Sequence, residues 1–469
     1  MWHRSLLMVS VLSLELSINA SGFAALPYPL IDTAQDRAFS TTQEISYPAP
    51  GQAFDGQDAQ YQGLAPAYRD NHDATVSDLN TGLMWQKTPD FRNPLSFAAA
   101  KAGAGSCRVG GYSDWRLPSV KELYSLIDFR GYSTQSATGS RPYIDTQFFD
   151  FSYGNAASGG RLIDAQYWSA TQYVGLTMKG DETVFGVNFA DGRIKGYPRD
   201  TGPDGGALKK FVRYVRGNPQ YGRNDFIDQY DGTILDRATG LIWTKSDSRQ
   251  PMNWQQALAY AEGLELAGHD DWRLPNAKEL QSIVDYTRAP DAQASAQGSA
   301  ALDPIFALTE TESWFWTSTT HLENRSAQFA VYVCFGQAFG SMHGHKMNVH
   351  GAGAQRSDPK AGDPRQWSQG NGPQGDEVRI LNYVRCVRGG GVVRKSQGPQ
   401  LEGNFSETRE PSEPGSPRGF VSHLDRNGDG KVSRQEFDGP PDQFDRLDRD
   451  GDGGLSEDEA PRQGPQGRN

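Results

Sequence analysis

GYSDWRLPSVKELYSLIDF (111–129) and GHDDWRLPNAKELQSIVDY (268–286) are one pattern written twice, 157 residues apart. In each, DWRLP reads as extended backbone, because a residue before proline avoids the α region. Ser119 and Asn276 then stand where a helix is capped, and Glu122 and Glu279, three residues on, complete a capping box. Leu123, Leu126 and Ile127, matched by Leu280, Ile283 and Val284, turn one apolar face inward. Moving outward, TGLMWQK (81–87) pairs with TGLIWTK (239–245), YWSATQ (167–172) with FWTSTT (315–320), and FVRYVRG (211–217) with YVRCVRG (383–389). Four motifs in the same order establish a duplication. The period is too long for a solenoid unit, so each copy reads as a domain, copy one at 72–217 and copy two at 225–389.

The rest of each copy reads as short elements. TGLxW is a turn leading into a buried strand. PLSFAAAKAGAG (94–105) and PMNWQQALAYAEGLELAG (251–268) read as helices that open on Pro and close on Gly. Short strands follow around YWSAT, FGVNFADGRI and FVRYVRG, and around FWTST, FAVYVCFG and YVRCVRG. The chain has 53 Gly and 27 Pro, which suits many turns, while 11% aromatic residues and 10 Trp supply the core. Trp85, Trp115 and Trp168 recur as Trp243, Trp272 and Trp316, a repetition that suits core anchors better than sugar-stacking platforms.

These motifs resemble the Lcl C-terminal domain, found in collagen-like bacterial adhesins and many secreted proteins. DWRLPxxKEL and the terminal VRxVRG carry the resemblance, and FDGQDAQY (54–61), in an N-terminal extension over 26–71, looks like a lead-in seen with such domains. The resemblance implies an α+β chain of two tandem domains, akin to C-type lectins and formylglycine-generating enzymes. It implies binding or adhesion more than catalysis. Such domains often pair a Cys late in the first helix with one in the last strand. Here Cys107 faces Tyr214 in that scheme, and Cys386 faces Ala261, so neither copy keeps the pair. Cys334 and Cys386 lie on two strands of one copy. A disulfide between them and two buried thiols are both open readings. No EPN, QPD or WND tripeptide is present, so lectin-type calcium-dependent sugar binding has no support.

The ends of the chain differ from its body. Residues 1–25 read as an export signal: His3 and Arg4, the apolar run LLMVSVLSLEL interrupted by Glu15, then SGFAA. No later stretch reaches the length of a transmembrane span. The expected location is therefore periplasmic or extracellular, including the cell surface. Residues 390–419, rich in Pro, Gly, Ser and Glu, read as a flexible linker. Net charge is −11, and residues 420–460 alone hold twelve acidic against five basic residues. The remainder is near neutral, which argues against a nucleic-acid partner.

That acidic segment carries two twelve-residue loops of a small all-α EF-hand pair, DRNGDGKVSRQE (425–436) and DRDGDGGLSEDE (448–459). Calcium takes six to eight oxygens, and such a loop offers them at positions 1, 3, 5, 7, 9 and 12. The expected ligands to two Ca2+ ions are Asp425, Asn427, Asp429, the Lys431 carbonyl, Ser433 and Glu436, then Asp448, Asp450, Asp452, the Gly454 carbonyl, Ser456 and Glu459. Gly430 and Gly453 stand at the sharp turn, where a Cβ is unwelcome. Val432 and Leu455 stand where two loops would meet as a β pair. Pro461 cuts the exiting helix short, so a structural or anchoring calcium role is expected over a calmodulin-like opening.

Two further clusters weigh less. His343, His345 and His350 offer imidazoles at a spacing that suits zinc or copper, against a solvated loop as the plainer reading. Arg193, Lys195, Arg199, Lys209, Lys210, Arg213 and Arg216 make the end of copy one basic. They would suit an anionic glycan, with a solvated face plus one buried Arg pair as the favoured alternative. No nucleophile, base and orienting group can be assembled, so the chain reads as non-enzymatic. The expected function is binding or adhesion, with an unidentified glycan or protein ligand at the cell surface. A structural part in a calcium-dependent surface assembly is the second reading, and an enzyme of the formylglycine-generating type a distant third.

Overall fold

The computed structural model describes residues 26–134, 136–154, 161–202, 205–294, 298–342, 344–372 and 374–399, and, in the C-terminal segment, 424, 430–434, 436–437, 441–456 and 459. The export signal, linker residues 400–419, Asp425, Asn427, Asp429 and His343 lie outside them.

Local chemistry builds the same units twice. The strands Thr75–Asp78 and Leu83–Gln86 pair around a turn in which Asp78 accepts from the amides of Asn80 and Thr81, and Gly82 takes φ +70°. In Leu83–Gln86 the side chains alternate, so Leu83 and Trp85 are buried. Tyr68–Asp70 and Val215–Gly217 flank the pair and complete a four-stranded antiparallel sheet. Phe226–Asp228, Thr233–Asp236, Leu241–Thr244 and Val387–Gly389 repeat it in copy two.

Among the described residues the two copies hold four short helices: α1 (Phe97–Ser106), α2 (Val120–Tyr124), α3 (Trp254–Glu262) and α4 (Ala277–Ser282). The capping boxes of Ser119 with Glu122 and Asn276 with Glu279 are formed as the spacing predicts. The first helix of each copy does not open on its proline. Ser96 and Asn253, two residues later, accept from the backbone and act as the caps. β-Structure dominates the chain, so it is more strand-rich than the α+β expectation.

The larger departure concerns domain organisation. The copies are not two separate beads. Three strands from each join in one six-stranded antiparallel sheet, ordered Trp314–Glu323, Ser326–Cys334, Gln355–Pro359, Arg193–Pro198, Thr183–Asn188, Gln166–Gln172. The join is the pairing of Ile194 with Gln355, and these two hold corresponding places in their copies. A local two-fold relation follows. Lys121 donates to the Ser282 carbonyl at 2.6 Å, and its counterpart Lys278 donates to the Ser125 carbonyl at 2.9 Å. Both ammonium groups are buried, and burial lowers each to about 8. One hydrophobic core runs through both copies and includes Trp85, Leu123, Trp243 and Leu280. Trp85, Trp168, Trp243, Trp272 and Trp316 are fully buried and Trp115 nearly so, as core anchors should be.

The N-terminal extension and the start of the presumed linker belong to this body. Val393–Arg394 pairs with Tyr61–Gln62, and Arg394 bridges to Asp55 and Glu262. Residues 393–394 are therefore part of the body, not of the linker expected from residue 390 on. Gln35 donates to and accepts from the Thr320 backbone, covering the outer strand of copy two. Among the described residues no helix is long and apolar enough to cross a membrane.

Candidate metal centre

In the C-terminal segment Val432–Ser433 pairs antiparallel with Gly454–Leu455, placing Val432 opposite Leu455 as the two-loop reading requires. Both side chains are fully buried in a small cluster with Leu424 and Phe444, which Phe437 and Leu447 border. The segment is not all-α: this two-stranded ladder accompanies the helix Pro441–Leu447. Gly430 and Gly453 take φ +86° and +85°, values at which any side chain is strained.

In the second loop, Asp448, Asp450 and Asp452 each aim an oxygen into one volume, and those oxygens lie within 4.8 Å of one another. It is the only such group of three potential metal ligands among the described residues. One oxygen of each is also held by the loop's own amides: Asp448 accepts from Gly453, Asp450 from Asp452, and Asp452 from Gly454. Asp448 Oδ1 is buried and has no hydrogen-bond partner among the described residues. Three converging carboxylates with a buried unpartnered oxygen make a donor set that fits a hard divalent cation.

Glu459, at position 12, closes the loop from the other end. Its carboxylate accepts from the amides of Arg449 (2.8 Å), Asp450 (3.2 Å) and Ser456 (2.9 Å), and from the Ser456 hydroxyl (2.8 Å). Those bonds, Ser456 first, hold it down at about 2, so it is an anion at any ordinary pH. Glu436 repeats the arrangement in loop one, accepting from the amide and hydroxyl of Ser433. One link was not legible beforehand. The Lys431 ammonium reaches across the ladder to Asp452, so the two loops are tied electrostatically as well as by the strand pair.

The other candidate groups fall differently. Cys334 and Cys386 are free, buried thiols, so the pairing read as possible is not formed. Cys334 ends a strand of the six-stranded sheet, with its amide on Ala354, whereas Cys386 adjoins the four-stranded sheet, with its amide on Thr244. Sharing a copy did not place them on neighbouring strands. His350 is buried against Asp376 at 3.1 Å, while His345 is exposed on the strand His345–Asn348, so these two do not converge. Only part of the basic end of copy one reaches the surface: Lys209 is exposed, and Arg199 and Arg216 are half-buried. Arg193, Lys195, Lys210 and Arg213 are all buried. Arg193 and Lys195 share Asp191, Arg193 also reaches Glu323, and the Lys210 ammonium lies 3.8 Å from the centre of the Tyr197 ring. The buried Arg pair is instead Arg213 with its counterpart Arg385, each held by three backbone carbonyls.

A cavity of about 200 Å3 opens where the N-terminal extension meets both copies. Its walls carry Arg37, Arg130, Arg141 and Arg325 beside Phe39 and Tyr132. Arg37 pairs with Glu44, and Arg130 and Arg141 both reach Asp128, the Arg141 side chain staying 48% exposed. Nothing in the local sequence signals this pocket, because its four arginines come from three distant segments.

The family model described as the Lcl C-terminal domain matches residues 74–216 and 232–350, together more than half of the chain. A second, described as an EF hand, matches residues 423–438. No curated protein and no solved structure matches the chain.

Proposed function

The chain belongs to the Lcl C-terminal domain family, and from that premise we propose that it is an exported, non-enzymatic, adhesion-type binding protein whose tail takes two calcium ions. The observation that carries the calcium half is the convergence of Asp448, Asp450 and Asp452 around the unpartnered Asp448 Oδ1. The first loop repeats the spacing, the Ser–Glu clamp and the left-handed glycine, which supports a second ion there. Calcium bound within each of the paired loops would supply structural cross-linking of a segment whose apolar cluster is very small.

The binding half rests on the family and on the arginine-walled cavity. Guanidinium groups beside aromatic rings suit a carboxylate or sulfate carried on a glycan or protein. The test is a glycan-array assay on the mature protein with calcium and again with chelator, alongside the Arg141→Glu, Arg325→Glu double variant. Binding of anionic glycans that the variant loses supports the reading. An array that stays blank in both conditions refutes it and favours calcium-driven self-assembly, which light scattering against calcium would register.

A further inference from the structure

The duplication makes each copy a control for the other, and one place breaks the match. In copy two, the Ala277 amide donates to Thr319 Oγ1, and that hydroxyl donates onward to Asp58 Oδ2 at 2.6 Å. Thr33 donates to the same carboxylate oxygen, Gln35 brackets the Thr320 backbone, and the Tyr61 ring lies 5.4 Å from the Arg273 guanidinium. The N-terminal extension thus fills a patch made by Arg273, Asn276 and Ser318 to Thr320, and buries all of it.

Copy one builds the same patch. The Val120 amide donates to Thr171 Oγ1 at 3.0 Å, the Ala170 amide to the Pro118 carbonyl, and Arg116 clasps Glu122 as Arg273 clasps Glu279. Among the described residues nothing covers it. Ala170 and Gln172 are exposed, and Ser119 and Thr171 are half-buried. The Arg116 side chain is 37% exposed against 4% for Arg273. Thr171 has used its acceptor role on Val120 and donates to no described residue, whereas Thr319 donates to Asp58.

We propose that this open patch binds an extended segment of a partner protein with the chemistry of the chain's own insert: a carboxylate for Thr171 and, three residues later, an aromatic ring for Arg116. The Asp58-Ala59-Gln60-Tyr61 run sets that Asp-x-x-Tyr spacing. A second copy's extension is not the occupant, because this run is tied into its own body: Tyr61 donates to Glu262, and Arg394 grips both Glu262 and the nearby Asp55.

The experiment uses the full mature chain and a fluorescent peptide, FDGQDAQYQ, copied from residues 54–62, read by polarisation. Saturable binding is expected, lost on Ala170→Arg, a change at an exposed position that leaves the fold alone. A peptide with the Asp58 position changed to Ala should bind roughly tenfold more weakly, the loss of one charge-assisted bond. Thr171→Ser, which keeps the donor, should bind as the parent does. No binding, or binding that Ala170→Arg leaves unchanged, overturns the proposal. So does a concentration-dependent dimer that Ala170→Arg abolishes, since the occupant would then be a second copy.

Discussion

Replacing Arg385 by methionine tests whether the two copies form one cooperative unit. The guanidinium is fully buried and donates to the carbonyls of Thr244 (2.6 Å), Lys245 (2.7 Å) and Ala307 (2.7 Å). It lies between the Phe306 and Phe315 rings, at 4.9 and 5.7 Å. Among the described residues no carboxylate pairs with it, and burial lowers it to about 10, so the site holds a cation at a real desolvation cost. Methionine refills the stem volume but removes a donor from three carbonyls, of which the Lys245 carbonyl keeps the Ala307 amide. Three bonds to a charged donor contribute about 1.5–3 kcal/mol each. Removing the buried charge returns several kcal/mol of that. The expected net loss is about 3 kcal/mol. Arg213, with its own three carbonyls from Gln86, Lys87 and Asp150, should give a similar figure on Arg213→Met. The assay is differential scanning calorimetry and urea unfolding of the mature chain. Because one sheet and one core span both copies, each single variant should shift the same transition of the body. Two transitions, with Arg385→Met moving only one and Arg213→Met only the other, would refute the shared-core argument.

Other outcomes follow from the same geometry. Burial, then the Asp32 carboxylate, pushes Asp58 up to about 7, so the folded chain holds that proton where the unfolded chain, near 3.8, has released it. This group therefore costs stability as pH rises from about 4 to about 7, by at most about 4 kcal/mol. Asp58→Asn should flatten that part of the urea-midpoint profile, and an unchanged slope would exclude Asp58 as its source. Glu459→Gln should weaken calcium binding at the second loop by roughly tenfold or more while leaving the first, read by isothermal titration calorimetry; an unchanged isotherm would place the ions elsewhere. A thiol-reactive dye should label the half-buried Cys107 in the native protein, and Cys334 and Cys386 only in denaturant, since burial raises both of those thiols. Labelling of all three at once without denaturant would contradict their burial.

What was legible in the sequence was what chemistry places within a few residues. The Ser119–Glu122 and Asn276–Glu279 boxes are bonds from one residue to the third after it, so spacing alone announces them. The Val432–Leu455 ladder and the left-handed glycines follow from a loop whose positions are dictated by an ion's demand for oxygens. What stayed hidden depends on chain segments that meet only in three dimensions. Lys121 and Lys278 look like helix-surface lysines, yet each is drawn inward by a carbonyl more than a hundred residues away. Lys195 and Arg193 look like a basic strand, and Asp191, which neutralises them, sits in the same run without showing that it is buried.

Strand edges explain why duplication produced one body rather than two. A three-stranded sheet standing alone leaves two rows of unpaired amides and carbonyls, which invite association. Copy one would present Arg193–Pro198 and Gln166–Gln172, and copy two Gln355–Pro359 and Trp314–Glu323. Pairing Ile194 with Gln355 joins the two inner edges, at the cost of enclosing the charges carried by those strands. These charges are met in two separate groups, Arg193 and Lys195 by Asp191, and Arg356 by Asp376. The N-terminal extension takes the third edge, through Gln35 and Asp58 on Thr319 and Thr320. Among the described residues no second segment of this kind covers the fourth edge. The fourth edge keeps Trp168 and Ala170 satisfied on Phe211 and Pro118, and it ends in the exposed residues on which a partner segment would have to settle.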